Sequence, residues 1–193
     1  MTTNLAAFNP GNYYAGPKWK IAIWYFLNYY ILNSAFPWPY ALKTRLLRLF
    51  GARIGKGFVI KTKVRIKYPW LLQIGDHCWI GESVWIDNLT QVTLGDHVCL
   101  SQGALLLTGN HDYKQPDFPY RLGTIHIENG AWIGAMAVVC AGVTCGSHSV
   151  LTVNAVAAKD LQPWLIYSGN PAVAVRRREI KEHRVTVLNA ATI

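Results

Sequence analysis

The sequence predicts a mainly β protein: a parallel β-helix of about five triangular coils, with an N-terminal α-helical segment before it and a short C-terminal extension after it. Three observations carry this. Apolar residues recur every six positions, glycine recurs beside them, and every break in the period falls at the same place in a coil.

The period runs through Ile54, Ile60 and Ile66, then Ile74, Ile80 and Ile86, then Leu94, Leu100 and Leu106, then Ile127, Ile133, Val139, Cys145, Leu151 and Ala157. Six does not fit the helical period of about 3.6 but is a multiple of the strand period of about 2, so one side chain in each repeat points inward. Glycine follows at Gly55, Gly75, Gly81, Gly95, Gly134 and Gly146, where the chain turns and a side chain would clash. Three hexads close one coil, and coils stack about 4.8 Å apart. The spacing widens to eight between Ile66 and Ile74 and between Ile86 and Leu94, and to twenty-one between Leu106 and Ile127. Each insertion falls in the third hexad of its coil. All three therefore emerge from one edge of the prism, as loops carrying a site on a rigid scaffold would.

The chain then divides into an aromatic, basic segment at 1–50, the β-helix at 51–162 with a long loop at 107–124, and the extension at 163–193. The net charge of +9 is uneven: residues 1–75 hold eleven Lys or Arg and no acidic residue, and the rest hold eight against ten. Such an excess points to an anionic partner. Half of the 24 aromatic residues lie in residues 1–40. The apolar stretch Trp19–Phe36 is broken by Lys20, Asn28, Asn33 and Ser34, short of the about 20 clean apolar residues that span a bilayer. Residues 18–50 read as one or two amphipathic helices broken at Phe36–Pro39, and two roles fit them. They cap the open end of the prism, or they touch a membrane interface, where Trp, Tyr, Lys and Arg are at home. The basic run Lys43–Lys67 alternates with Ile and Val over residues 53–67, as a solvated strand face does, and no nucleic-acid motif accompanies it; no nucleic-acid partner is expected. No charged n-region with an apolar core opens the chain, and the four cysteines show no CxxC spacing. Reduced thiols and a cytoplasmic location are expected, at the inner face of the membrane if the second role holds.

The long loop reads TGNHDYKQPDFPYRLGT, Thr108 to Thr124, and holds His111 between Asn110 and Asp112, with Tyr113 beyond. Pro116 and Pro119 stiffen it. This loop in IGDHCWIGESVWIDNLTQVTLGDHVCLSQGALLLTGNHDY, the later IENGAWIGAMAVVCAGVTCG and the closing AAKD and YSGNPA resemble the hexapeptide-repeat O-acetyltransferases. The similarity is greatest to the colanic-acid-type exopolysaccharide acetyltransferases and weaker to the maltose and galactoside acetyltransferases. It runs from about Leu46 to Arg176.

The resemblance implies a left-handed β-helix, a homotrimer, and acetyl-CoA in the cleft between neighbouring prisms. It implies that His111 is the general base, taking the proton of a saccharide hydroxyl as that oxygen attacks the thioester. Neutral imidazole, with a pKa near ~6.5, suits this task, and no protein nucleophile is needed. What orients the ring is left open: Asp112 is adjacent, but neighbours in sequence often point apart. Asp87 and Asn88, from the insertion one coil earlier, are candidates to line the acceptor pocket with Asn110 and Tyr113; the alternative is that Asp87 only turns the chain. On the cofactor side the resemblance implies Trp132 at the acyl-donor site, backbone near Gly134, Ala135 and Gly142 along the pantetheine arm, and Lys159 and Arg176 at the nucleotide phosphates. This chain departs from its relatives at Ala141, where they usually have Pro, and at Ala158, where Thr often precedes the lysine.

Two other readings compete. γ-Type carbonic anhydrases share the prism and bind zinc through three histidines, two of them in H-x₄-H spacing. Here Pro116 stands five residues after His111, and His77 and His97, both in GDH turns, do not complete a site; no metal is expected. A non-catalytic trimeric scaffold would have no use for His111. The acceptor is expected to be a saccharide, whether free, nucleotide-linked or lipid-linked, used in polysaccharide biosynthesis.

Overall fold

The computed structural model describes residues 2–181; the remainder of the C-terminal extension lies outside the described residues. Short strands stack into three parallel faces. The first face holds Arg53–Ile54, Leu72–Ile74, Val92–Leu94, Ile125–Ile127 and Thr144–Cys145. The second holds Val59–Ile60, Trp79–Ile80, Cys99–Leu100, Trp132–Ile133, Val150–Leu151 and Leu165–Ser168. The third holds Arg65–Ile66, Trp85–Asp87, Leu105–Leu107, Val138–Val139 and Val156–Ala157. The register places each hexad residue over the one a coil earlier: Ile54 on Ile74, Ile74 on Leu94, Leu94 on Ile127 and Ile127 on Cys145. Every hexad residue from Ile54 to Ala157 is buried. At about 1.5–3 kcal/mol for each large aliphatic side chain, this column is the main source of stability.

The GDH turns have a structural cause. Asp76 Oδ1 accepts the Lys56 N–H at 2.9 Å, Asp96 Oδ1 the Asp76 N–H at 2.7 Å, and Asn129 Oδ1 the Asp96 N–H at 2.8 Å. These side chains pass over Gly55, Gly75 and Gly95, where a Cβ would collide with the accepting oxygen. His77 and His97 follow in left-handed backbone, and their rings stack 5.3 Å apart on the outside of that edge.

Both ends of the stack are closed. Beyond the fifth coil, Leu161 bridges to Cys145 and Leu165–Ser168 adds to Val150–Leu151, making a shorter sixth turn. Tyr167 fills its interior, and its hydroxyl accepts the Gln162 N–H at 2.8 Å. Val173–Arg177 then returns antiparallel and covers the edge of that strand. At the other end sit helix α1 (Lys18–Leu27), which continues as a wider turn through Asn28–Leu32, and helix α2 (Tyr40–Leu49). Each starts directly after a proline, Pro17 or Pro39. The first coil has no strand beneath it, so its downward carbonyls need other donors. Arg48 Nη2 donates to Ile54 O at 2.7 Å and Gly55 O at 2.9 Å, Lys43 Nζ to Lys61 O at 2.7 Å, and Trp24 Nε1 to Ile66 O at 2.8 Å. The three side chains reach three different sides of the first coil. Trp24, Leu32 and Leu47 are fully buried beneath the coil. Burial also pushes the Lys43 ammonium pKa down.

Candidate active site

The three insertions do share one edge, between the third and first faces, and they bond to one another there. Asn88 Oδ1 accepts the Tyr68 N–H at 3.0 Å while its Nδ2 donates to Tyr68 O at 2.7 Å, joining the first two. The buried Thr108 hydroxyl donates to Asp87 O at 3.0 Å and accepts the Thr90 N–H at 3.3 Å, joining the second and third. Asp87 Oδ1 meets Lys67 Nζ at 2.9 Å.

On this base the long loop forms a hairpin, Gly109–His111 against Tyr120–Leu122. His111 leaves the ladder at its tip. Its Nδ1 lies 2.7 Å from Phe118 O, and the two rings stack with centroids 4.4 Å apart. A carbonyl can only accept, so Nδ1 carries the proton and Nε2 is left with its lone pair. Phe118 stands in left-handed backbone (φ 52°). The orienting group is therefore a backbone carbonyl. Asp112 instead accepts the Lys114 N–H and a Gln115 Nε2–H, at 3.1 and 3.0 Å. Those bonds, the Gln115 one first, hold its carboxyl pKa below the usual value. It shapes the tip and does not touch the imidazole.

The other candidate acceptor residues differ in what they can offer. Asn110 accepts the His111 N–H at 2.8 Å, and Tyr113 is exposed. Asp87 is buried; Asn88 is fully buried, its amide spent on Tyr68, so it contributes position and not contact. One wall of the site has no counterpart in the sequence reading. The N-terminal arm crosses the hairpin: Asn4 N–H donates to Pro116 O at 2.7 Å, Phe8 lies 5.8 Å from His111 and 5.3 Å from Tyr120, and Tyr13 lies 5.3 Å from Tyr120. Tyr13 Oη donates to Leu89 O at 3.1 Å. Burial pushes the Tyr13 pKa up, and that of Tyr68 to about 12.

The candidate cofactor residues fall into two groups. Gly142 and Lys159 lie on the same edge as the His111 loop, one and two coils above it. Gly142 has positive φ and open space where a Cβ would stand. Trp132 stands outward on the second face, which is opposite that edge; its Nε1 donates to Ser101 Oγ at 2.8 Å. Arg176 is exposed on the returning strand beside the same face. Gly134 and Ala135 turn the chain from the second face to the third, and the missing side chain at Gly134 makes room for the backbone of the next coil. Below Trp132, a cavity of about 500 Å³ separates the second face from the Pro37–Lys43 segment, walled by Trp38, Tyr40, Lys61, Trp79, Ser101 and Gln102. One chain thus holds the histidine and the tryptophan on opposite sides of its prism. Among the described residues, no group of three His, Cys, Asp or Glu is placed to hold a metal ion.

No protein-family model matches the chain. It is 35% identical over 180 residues to WcaF of Escherichia coli K12, a protein provisionally named a colanic acid biosynthesis acetyltransferase, with 91% of this chain and 97% of that one aligned. It is 26% identical over 151 residues to the galactoside O-acetyltransferase of Escherichia coli K12, covering 76% of this chain and 74% of that one. Its fold matches a hexapeptide-repeat-containing acetyltransferase of Vibrio cholerae complexed with acetyl coenzyme A, at a TM-score of 0.75 and 26% identity over 84% of this chain and 89% of the other. With its coils, its loop and an alignment spanning nearly the whole of WcaF, the chain belongs to the hexapeptide-repeat acetyltransferases.

Proposed function

We propose that the protein transfers an acetyl group from acetyl-CoA to a hydroxyl of a saccharide used in polysaccharide biosynthesis, with His111 as general base. The observation that carries this is the histidine itself: Nδ1 is held by the Phe118 carbonyl, so Nε2 is free to take a proton. As the acceptor O–H proton moves to Nε2, the oxygen forms its bond to the thioester carbon. The thiolate of coenzyme A leaves when the tetrahedral intermediate collapses, and the imidazolium returns the proton to it. The relatives named for acetyl transfer to sugars, and the acetyl coenzyme A complex of the Vibrio cholerae protein, support this reading.

The division of the site supports a homotrimer. A base on one edge and an acyl-donor aromatic on the opposite face meet only if the edge of one copy lies against the second face of the next. Repeated head to tail with a threefold rotation, that contact closes a ring of three. In this arrangement Trp132, Gly134, Ala135 and Arg176 of one copy and Gly142 and Lys159 of its neighbour flank the cofactor. Asn110, Tyr113 and the surroundings of Asp87 face the acceptor, across from the cavity beside Trp79. Because the donor is acetyl-CoA, we place the reaction in the cytoplasm.

His111→Ala tests the mechanism. Acetyl-CoA turnover with a responsive saccharide, followed by thiol release, should fall by about 10²–10⁴-fold with the KM for acetyl-CoA little changed. Full activity in that variant would remove the general-base assignment.

A further inference from the structure

We propose that the outer side of the N-terminal cap docks on an anionic lipid bilayer, lying in its interface without crossing it. Helix α1 is apolar on two opposite sides, a pattern expected of a helix covered all round. Trp24 reaches up the prism axis to the Ile66 carbonyl. On the other side, Trp19, Ile23, Phe26 and Tyr30 follow at spacings of four, three and four, and all are exposed, Trp19 by 67% and Phe26 by 62%. Leu42 and Leu49 are exposed in the same way on α2, with Arg45 between them and Leu49 exposed by 78%. Phe36 is also exposed, at the turn between the helices.

Charge selects the occupant. Residues 1–75 contain no acidic residue, and the exposed apolar residues are accompanied by exposed cations: Lys18 directly before Trp19, and Arg45 between Leu42 and Leu49. A second copy of the same patch would set these cations against each other. Prisms packed side by side would also leave the ends free. An anionic lipid surface complements the charge and receives the aromatic rings at headgroup depth. Among the described residues no helix is long and apolar enough to cross a membrane, so the contact is a flat one, through rings and cations.

The test uses the full chain and sedimentation with phosphatidylcholine vesicles, with or without phosphatidylglycerol. Binding is expected to the anionic vesicles alone and to weaken as salt is raised. Trp19→Ser and Phe26→Ser should each weaken partitioning by about tenfold, and Lys18→Ser with Arg45→Ser by several-fold. Oligomeric mass, thermal midpoint and acetyl transfer to a water-soluble acceptor should be unchanged. The proposal is overturned if the chain does not bind anionic vesicles, or if the aromatic variants bind as well as the parent. A change in oligomeric mass in those variants would also overturn it, because the patch would then be a contact between copies.

Discussion

If the active site is assembled from the edge of one copy and the second face of the next, two impaired variants should restore each other. His111→Ala spoils the loop and leaves Trp132 intact; Trp132→Ala does the reverse. Alone, the first should lose about 10²–10⁴-fold in turnover and the second about tenfold or more, as for the loss of a central aromatic anchor. Co-expressed in equal amounts and assembled at random, about three trimers in four are mixed, and each mixed trimer has one junction in three with both residues present. About a quarter of wild-type activity should therefore return. The assay is thiol release from acetyl-CoA by the co-purified mixture, against each variant alone and against the two mixed after assembly. A site completed within one chain predicts only the mean of the two single activities. That result would refute the shared site and the reading of the second face as the acyl-donor side.

Further outcomes follow from single contacts. Trp24→Phe keeps the packing but strands the Ile66 carbonyl, and should cost about 1–3 kcal/mol in urea unfolding; Trp24→Ala adds a cavity and should cost about 3–5 kcal/mol. Asn88→Leu removes both Asn88–Tyr68 bonds between the first two insertions, and should lower stability by about 2 kcal/mol and raise the acceptor KM more than that for acetyl-CoA. Asp112→Asn should leave kcat within about threefold, because Asp112 bonds to the loop tip and not to His111. Burial pushes the Cys145 thiol from an ordinary 9.0 to about 12 and Cys78 to about 11. The folded chain keeps both protons where the unfolded chain has lost them, so this part of the stability is present below about pH 9 and is lost as pH rises toward those values. The melting temperature should fall across that window, less steeply in Cys145→Ala, and native protein should resist alkylation at both thiols.

Much of the fold is legible because six-residue periodicity is a strong signal and glycine marks the places where coils press together. The shared edge of the three insertions was also readable from the register of the hexads. The placement of Trp132 could have been read the same way: it precedes the second hexad of its coil, and the insertions follow the third, so the two lie on opposite sides. Other parts were hidden for physical reasons. The partner of His111 is the Phe118 carbonyl, and every residue has a carbonyl, so composition cannot mark it. The roles of Asp76 and Asp96 depend on a neighbour one coil away. The arm that brings Phe8 to His111 and Tyr13 to Tyr120 has no periodicity, and the aromatic enrichment of residues 1–40 was its only trace.

The basic excess can now be divided by what each cation does. Lys43 and Arg48 satisfy carbonyls at the open end of the prism. Lys56, Lys63 and Lys67 pair with Asp76, Glu82 and Asp87 at 3.8, 3.2 and 2.9 Å, each acid about one coil later. A coil in mid-stack can pair with neighbours on both sides, but the first coil can pair only upward, so the end of the prism keeps charge that the middle cancels. The two exposed pairs are worth about 0–1 kcal/mol each and are not why the charge is there. Lys20 lies over the Trp70 ring, and Arg65 lies near Trp85 and Asn33. Among the described residues Lys18 and Arg45 have no such partner, and both are exposed on the cap helices that carry Trp19, Phe26 and Leu49. Lys159 and Arg176, assigned here to the phosphates of coenzyme A, both lie outside residues 1–75. With the cofactor held by those two residues as proposed, the surplus serves something else: Arg53 stays exposed on the first face, and Lys18 and Arg45 stand on the cap, where the proposed lipid surface would meet them.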